Sequence, residues 1–388
     1  MSTIPPPPVA PQQPQNFRGK TKSFWLRVTD GLEINQLWHQ FRTDARSSYR
    51  LYSKGIDVTT PDQTSRRKHW WAVAKQFFWA ILLKLSPARR VLLLVALALI
   101  IFNPEFDWTT SSGTHIIGFD FRLIGGLLMF LLLVLEVSER VVMKRDLEIA
   151  RDIQRWLLPL NPPPVPGVEI AFATRPANTV AGDYYDVFAR TVSENGQQNY
   201  LFVVADVAGK SIPAALLMAT FQASLKTLSS TAIDLVQLVE RLNRSMTANS
   251  QGGLRFTTAF FGEYDPATRA LTYINAGHNT PILRRASGTI ERLEAGGLPL
   301  GIQEAATYQT GAVTLQSKDW LVIFTDGVVE AVNERDEEFG EDRLISLFSE
   351  SPDTAPSRML SRVMVAIDLY VGNAPQHDDI TCLLVKAG

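Results

Sequence analysis

The sequence has a single cysteine, few histidines and almost no net charge, and each scarcity excludes a class of protein. One thiol, Cys382, cannot form an internal disulfide or a multi-cysteine zinc cluster. Because Cys382 lies in the apolar run from Ile380 to Val385, we expect a buried, inert thiol in a cytosolic part of the chain. A formal net charge of −1 over 388 residues gives no general attraction to nucleic acid.

The first 68 residues lack the features of a secretory signal. Residues 1–20 are rich in proline and glutamine, a composition that predicts a disordered tail. They have no basic start, apolar centre or small-residue cleavage site. Residues 21–68 are expected to form a basic cytoplasmic segment, to which the sequence assigns no role.

No apolar run reaches the roughly 20 residues of a typical membrane-spanning helix. Two shorter runs, Val91–Phe102 and Leu123–Leu135, nevertheless lie close together, and each alone could instead be a buried core helix. The aromatic-rich segment His69–Leu85 precedes them and is typical of a helix at a membrane interface. We therefore interpret residues 69–137 as a membrane region with an interfacial helix and two short transmembrane helices. Most lysines and arginines of this region precede the first run or follow the second, and few lie in the loop between the runs. Both ends are therefore predicted to face the cytoplasm.

Residues 138–160 have partly helical apolar spacing with opposite charges between the apolar positions. Pro159 and the triple proline at 162–164 end this helix. A solvated connecting helix and a dimerising signalling helix both fit the pattern, and the second would give a homodimer.

Residues 161–388 consist mostly of short β-rich runs with turn signals, which predict an α+β domain with mainly antiparallel sheets. The predicted strands are Val168–Thr174, Asp183–Ala189, Tyr200–Val207, Thr257–Tyr264, Ala270–Asn275, Pro281–Arg285, Trp320–Thr325 and Ile380–Val385. The predicted helices are Pro213–Ser229, Ile233–Asn249, Asp342–Phe348 and Pro356–Val371.

The segment "LFVVADVAGKSIPAALLMA" looks at first like a nucleotide-binding loop. Gly209, Lys210 and Ser211 match the end of a P-loop, but Val204 stands where the first glycine is required. Asp206 would also place a negative charge where phosphates bind. We conclude that the loop is not a nucleotide cradle.

Aspartates recur at the ends of apolar strands. They are Asp183 and Asp186 in "AGDYYD", Asp206, Asp326 before a glycine in "VIFTDGVVEA", and Asp378 and Asp379 in "QHDDITCLLV". One such aspartate is usually a turn former. Several that converge would repel one another unless cations neutralise them. Because no histidine–cysteine cluster accompanies these oxygen ligands, the pattern indicates Mg²⁺ or Mn²⁺.

Seven ordered motifs resemble the stage II sporulation E-type phosphatases, which include the RsbU-like regulators, within the metal-dependent PPM phosphatases. The motifs are "LEIARDIQRWLLP", "AGDYYDVF", "VVADVAGKSIPAALLMA", "LTYINAGHNTPILRR", "GGLPLGI", "VIFTDGVVEA" and "HDDITCLLV". The resemblance covers about Leu147 to Lys386. It implies two packed antiparallel sheets flanked by helices, an αββα sandwich, with two metal ions at one end.

The resemblance also implies a role for each matching residue. Asp206 would bridge two ions, and Asp183, the backbone carbonyl of Val207, Asp326 and Asp378 would complete their ligands. Less direct support near the ligands is expected from Asp186, Gly209, Lys210, His278, Gly327 and Asp379, and no organic cofactor is expected. Where the wider superfamily has a candidate proton-donating histidine this sequence has Ala208, so water or another group must supply the proton. For His278 a structural role is favoured.

The implied activity is hydrolysis of phosphoserine or phosphothreonine on a cytosolic protein similar to an anti-anti-sigma factor, by water activated between the two metal ions. A catalytically silent phosphatase-like binding module is one alternative, although it would have no need for mutually repelling carboxylates. A two-metal nucleotide cyclase is another, but the sequence has no evident triphosphate-binding signature.

Overall fold

The computed structural model describes residues 82–103, 120–191, 198–248, 255–350 and 352–388, with eight isolated positions (75, 78, 79, 109, 110, 113, 114 and 250). The chain divides into two compact units, Met1–Ser138 and Glu139–Gly388. The predicted tail 1–20, the basic segment 21–68 and most of the interfacial helix lie outside the described residues.

Two helices dominate what is described of the first unit, with the short antiparallel strands β1 (Thr109–Thr110) and β2 (Gly113–Thr114) between them. Helix α1 (Pro87–Phe102) contains the first predicted run and begins with proline, whose fixed φ suits a first helical turn. Helix α2 begins at Phe121 and contains the second run. Arg89 forms an ion pair of 3.2 Å with Glu136, and a Cβ on Gly125 would lie 2.6 Å from the side chain of Ile100.

Helix α2 (Phe121–Leu157) is longer than the sequence predicts, because it joins the second apolar run and the expected linker helix in one element of 37 residues. Between Gly126 and Pro159 the chain has no glycine or proline, so nothing interrupts the helical hydrogen bonds. By length and composition alone, α2 is the one helix of the described residues able to cross a membrane, with a mean hydropathy of 2.1 over its most apolar window. Helix α1, at 16 residues, is shorter than such a span.

The second unit contains two β-sheets. Strands β4 (Tyr184–Thr191), β5 (Gln198–Val207), β6 (Thr257–Asp265), β7 (Ala270–Ala276), β10 (Gly296–Gly297) and β11 (Gly311–Thr314) form one sheet, and β3 (Val168–Arg175), β8 (Ile282–Arg284), β9 (Ile290–Arg292), β12 (Trp320–Phe324) and β13 (Ile380–Ala387) form the other. All pairs are antiparallel except β7 with β10. The helices are α3 (Ser211–Ser229), α4 (Leu235–Thr247), α5 (Asp326–Val329), α6 (Glu341–Glu350) and α7 (Pro356–Val371).

Alternation of side chains along the central strands produces a sandwich of four layers. In β5, Phe202 and Val204 pack between the two sheets, whereas Leu201 and Val203 pack under α3 and α4. In the second sheet Trp320 and its neighbours on the outer face pack against α6 and α7. Each central strand is therefore buried on both faces, which confirms the expected αββα sandwich. Cys382 lies in the outer cluster and is fully buried.

Some short elements escape the sequence analysis. Strands β9, β10 and β11 have two to four residues each, too few for an alternating pattern. Helix α5 is a single turn that begins at Asp326, directly after a predicted strand end. It turns the chain away from the sheet immediately at the carboxylate.

Candidate metal centre

Strand pairing brings the strand-end aspartates of both sheets to one edge of the sandwich. In the first sheet Tyr184 pairs with Ala205, so Asp183, just before β4, lies beside Asp206, near the end of β5. In the second sheet Phe324 pairs with Cys382, so Asp326 follows β12 where Asp378 and Asp379 precede β13.

Two hydrogen bonds join the sheets at this edge. Thr325 Oγ1 donates to Asp183 Oδ2 at 2.9 Å, and the backbone N–H of Gly182 donates to Asp379 Oδ2 at 2.6 Å. The N–H of Ala177 donates to Asp379 Oδ1 at 2.7 Å. Asp379 therefore holds the loop that carries Asp183 through two backbone N–H groups, and the sequence alone does not specify these contacts.

Glycines allow the backbone to approach closely at this edge. A Cβ on Gly327 would lie 2.0 Å from the carbonyl oxygen of Asp379, so no other residue fits there without moving the loop. A Cβ on Gly182 would lie 3.1 Å from the carbonyl oxygen of Val207 and 3.9 Å from Asp206 Oδ1. The carbonyl of Val207 and the carboxylate of Asp206 thus face the same loop.

Mutual repulsion and burial raise the pKa values of the clustered carboxyls. Burial raises the pKa of Asp206 to about 7, with further increases from the charges of Asp326, Asp378 and Asp379. The pKa of Asp183 is raised well above its ordinary value, first by burial and then by the charge of Asp206. Burial raises the pKa of Asp326, and the negative charge of Asp378 raises it further. The sequence therefore concentrates negative charge where it is costly.

The donor set consists of carboxylates and one backbone carbonyl, the hard oxygen ligands that Mg²⁺ and Mn²⁺ prefer. In the parts of the chain that the structure describes, no three acidic, histidine or cysteine side chains are oriented to enclose an ion as they stand. Asp183 and Asp379 accept the hydrogen bonds already described, and Asp378 is paired with Lys210. The residues fit divalent cations in chemistry and charge, and coordination requires side chains such as Asp378 to turn.

Lys210 lies beside the cluster. Its Nζ is 3.0 Å from Asp378 Oδ2 and donates to the carbonyl of His377 at 2.6 Å. The turn that carries it is unusual, because Gly209 has φ of +120° and Ser211 has φ of +62°. The left-handed region is costly for serine, and such strain is typical of functional turns.

His278 and Asp186 lie apart from the clustered carboxylates. His278 is buried, which lowers the pKa of its imidazole to about 4, so the ring is neutral at neutral pH. Its Nδ1 lies 3.1 Å from Thr258 Oγ1, and Thr258 pairs with Asp206 across β5 and β6. Asp186 accepts from the hydroxyl of Tyr184 and pairs with Lys226 at 2.6 Å. The structure therefore gives Asp186 partners outside the cluster.

The sequence analysis missed Gln154, which contacts the loop before Asp183. This buried residue of α2 donates from Nε2 to the carbonyl of Ala181 at 2.7 Å and accepts from the N–H of Ala181 at 3.0 Å. Ala181 precedes Gly182 and Asp183, so the helix holds the loop of a candidate ligand by two hydrogen bonds. Gln154 is one polar residue in a charge-rich segment, so the apolar periodicity of the sequence does not mark it. Only the structure shows that it is buried.

Comparison with known proteins gives concordant matches. Residues 196–388 match the family model of stage II sporulation protein E (SpoIIE). The chain is 30% identical over 244 residues to the phosphoserine phosphatase RsbU of Bacillus subtilis, an alignment that covers 63% of this chain and 70% of RsbU. It is 24% identical over 245 residues to the phosphoserine phosphatase RsbP of the same organism, covering 62% of this chain and 58% of RsbP.

A solved structure with a similar fold is the SiaA-PP2C domain of Pseudomonas aeruginosa. The TM-score is 0.56 at 20% sequence identity, and the match covers 65% of this chain and 99% of that domain. At this identity the similarity concerns the fold, the two sheets flanked by helices.

Proposed function

Because this chain belongs to the SpoIIE family of PP2C-type serine/threonine phosphatases, we propose that it dephosphorylates a cytosolic regulatory protein at a two-metal centre built from Asp183, Asp206, Asp326 and Asp378. The carbonyl of Val207 completes the proposed ligand set. The metal is Mn²⁺ or Mg²⁺.

The observation that carries the proposal is the convergence of carboxylates at one edge of the sandwich. Burial and like charges raise the pKa of Asp206 to about 7. A fold that only needed polar turns there would gain by replacing one aspartate with asparagine. Divalent cations would instead turn the repulsion into binding energy.

In the proposed mechanism, bound divalent cations would supply an acidified water for attack and would neutralise phosphate oxygens. Asp183 and Asp206 would hold them from the first sheet, and Asp326 and Asp378 from the second. Asp379 and Gln154 keep the Asp183 loop in place through their backbone contacts. Because His278 is buried and neutral, we assign the protonation of the leaving serine oxygen to water.

Lys210 is the proposed phosphate contact of the site. More than half of its side chain is exposed, and its ammonium reaches Asp378. A cation at this position can attract the negatively charged phosphoserine without a fixed geometry.

The substitution Asp206→Asn tests the site. We expect the full-length protein in detergent to hydrolyse a phosphoserine peptide only with added Mn²⁺ or Mg²⁺. The substitution should lower kcat by at least about 10²-fold, the size of effect typical of a lost electrostatic contact at the reacting centre.

Asp353→Asn is the matched control, because Asp353 is an exposed aspartate paired only with Lys318 among the described contacts. Full activity is expected in this variant. Equal turnover by Asp206→Asn and the wild type would reject the assigned site. If the wild type binds the phosphopeptide but does not turn it over with either metal, the silent binding module is the better description.

The partner and location that we propose follow from the family and from the first unit. The substrate is a phosphorylated cytosolic protein similar to an anti-anti-sigma factor, whose interface changes when about −1.5 to −2 units of charge are removed. The apolar stretch of α2 is followed by the basic residues Arg140, Lys144 and Arg145, which supports anchoring in the cytoplasmic membrane with the phosphatase unit in the cytoplasm. Sedimentation of the chain with membranes, and its release only by detergent, tests the anchor.

A homodimer through α2 is also proposed. Val142, Ile149 and Trp156 are spaced by one heptad and are 56%, 51% and 82% exposed. A row of apolar side chains at one heptad position is typical of a two-stranded coiled coil, and Ile153, four residues after Ile149 and 49% exposed, adds an apolar side chain at the second position. These four residues form the proposed seam.

A further inference from the structure

A cavity of about 240 Å³ opens beside the carboxylate cluster. Asp378, Lys210 and Gly327 line it, so the cavity and the candidate metal centre share residues. The rest of its lining comes mainly from the chain after α5 and from the end of α7 with the following loop. It includes the apolar residues Val332, Val371 and Pro375 beside the polar Gln376 and His377.

The charges at this cavity are largely compensated. Arg175 pairs with Asp368 of α7, and Lys210 pairs with Asp378. Gln376 Nε2 donates to the carbonyls of Arg175 and Asp378, both at 2.8 Å, so hydrogen bonds hold the wall. Glu330 adds another carboxylate. A ligand group in the cavity therefore needs no net charge, and an acidic group would meet Glu330 and Asp378.

The volume is ample for a large side chain. One water needs about 10–15 Å³ of such space, so the cavity accepts a side chain of the size of leucine or phenylalanine with room to spare. Its position next to Lys210 places this room immediately beside the proposed phosphate contact.

Resting on the proposed function, we propose that this cavity is a substrate subsite that receives a large apolar side chain flanking the phosphoserine. It selects leucine- or phenylalanine-sized residues over alanine and rejects glutamate. Specificity for the protein substrate thus arises partly from one apolar contact next to the reacting group.

Phosphoserine peptides with leucine, alanine or glutamate at the flanking positions test the subsite, with full-length protein in detergent. We expect kcat/KM to be about 10-fold higher for leucine than for alanine, which matches the usual value of a buried apolar group. Val371→Trp should fill the cavity and abolish this preference. The kcat/KM of this variant for p-nitrophenyl phosphate, which has no flanking residue, should remain within about twofold of the wild-type value.

Val365→Trp is the control, because Val365 lies on the same helix and is exposed to solvent. Pro375→Trp is a second cavity variant from an exposed loop position, in case Val371→Trp fails to fold. Equal kcat/KM for the leucine and alanine peptides in the wild type would overturn the subsite, as would a preference that survives in a folded cavity variant. If the wild type does not hydrolyse p-nitrophenyl phosphate with either metal, the proposed function is overturned and the subsite with it.

Discussion

Asp206 links the charge of the site to the stability of the domain. Its folded-state pKa of about 7 lies above the ordinary value of 3.8. Below pH 4 the carboxyl is protonated in both states. Between pH 4 and 7 the folded state holds a proton that the unfolded chain releases, so this stabilising contribution is lost as the pH rises through 7.

We therefore predict that, with chelator present, residues 139–388 unfold at lower urea concentration at pH 8 than at pH 5.5. Asp206→Asn should raise the free energy of unfolding at pH 8 by about 1–3 kcal/mol and reduce the pH dependence, because it removes one buried charge. Urea unfolding followed by tryptophan fluorescence measures both effects. Asp353→Asn should change neither, and a less stable Asp206→Asn variant at pH 8 would contradict the charge repulsion described for the site.

At the scale of elements, Gln154 of α2 is hydrogen-bonded to the loop that carries Asp183. Gln154 makes both of its hydrogen bonds to Ala181, two residues before Asp183. We predict that Gln154→Leu, which keeps the bulk but removes the polar atoms, raises the apparent Mn²⁺ concentration for half-maximal activity by about 10-fold. Two lost buried hydrogen bonds, at about 0.5–1.5 kcal/mol each, are enough for this change.

Asp152→Ala is the control for Gln154→Leu, because Asp152 lies two residues away on an exposed part of the same helix. Its metal requirement should equal that of the wild type. The role of Gln154 would be disproved if the substitution changed the melting temperature but left the Mn²⁺ titration unchanged.

The sequence predicted the long strands and helices of the two-sheet domain well because apolar periodicity determines them, whereas it divided α2 into two elements. Strand β5 and helix α7 occupy nearly the predicted ranges, and Pro159 ends α2 as expected. Motif order also identified the residues that converge at the sheet edge. The hydrogen-bond and ion-pair partners of Asp379, Gln154 and Lys210 come from distant parts of the chain. No local sequence pattern encodes such contacts. The single-turn helix α5 was missed because its glycine is required by contact with Asp379, not by a helical signal.

At the scale of the whole molecule, the exposed apolar row on α2 predicts self-association. Substituting both Ile149 and Ile153, each about half exposed, with glutamate places charges in the proposed seam. We expect the detergent-solubilised protein to change from dimer to monomer in analytical ultracentrifugation, because charges at such positions oppose coiled-coil packing.

Lys144→Glu is the matched charge change outside the row, at an exposed position of the same helix, and should leave the dimer intact. A wild type that sediments as a monomer would disprove the dimer. A double variant that still sediments as a dimer would move the interface away from this face of α2.

The buried position of Cys382 has a practical consequence for labelling experiments. The thiol is fully buried between the second sheet and its helices, and burial raises its pKa to about 12. Maleimide probes react with exposed thiolates and should therefore ignore the native protein. Two cysteines introduced into the second unit, one on its part of α2 and one beside the carboxylate cluster, would be the only reactive thiols, so the distance between two labels can be measured without removing Cys382.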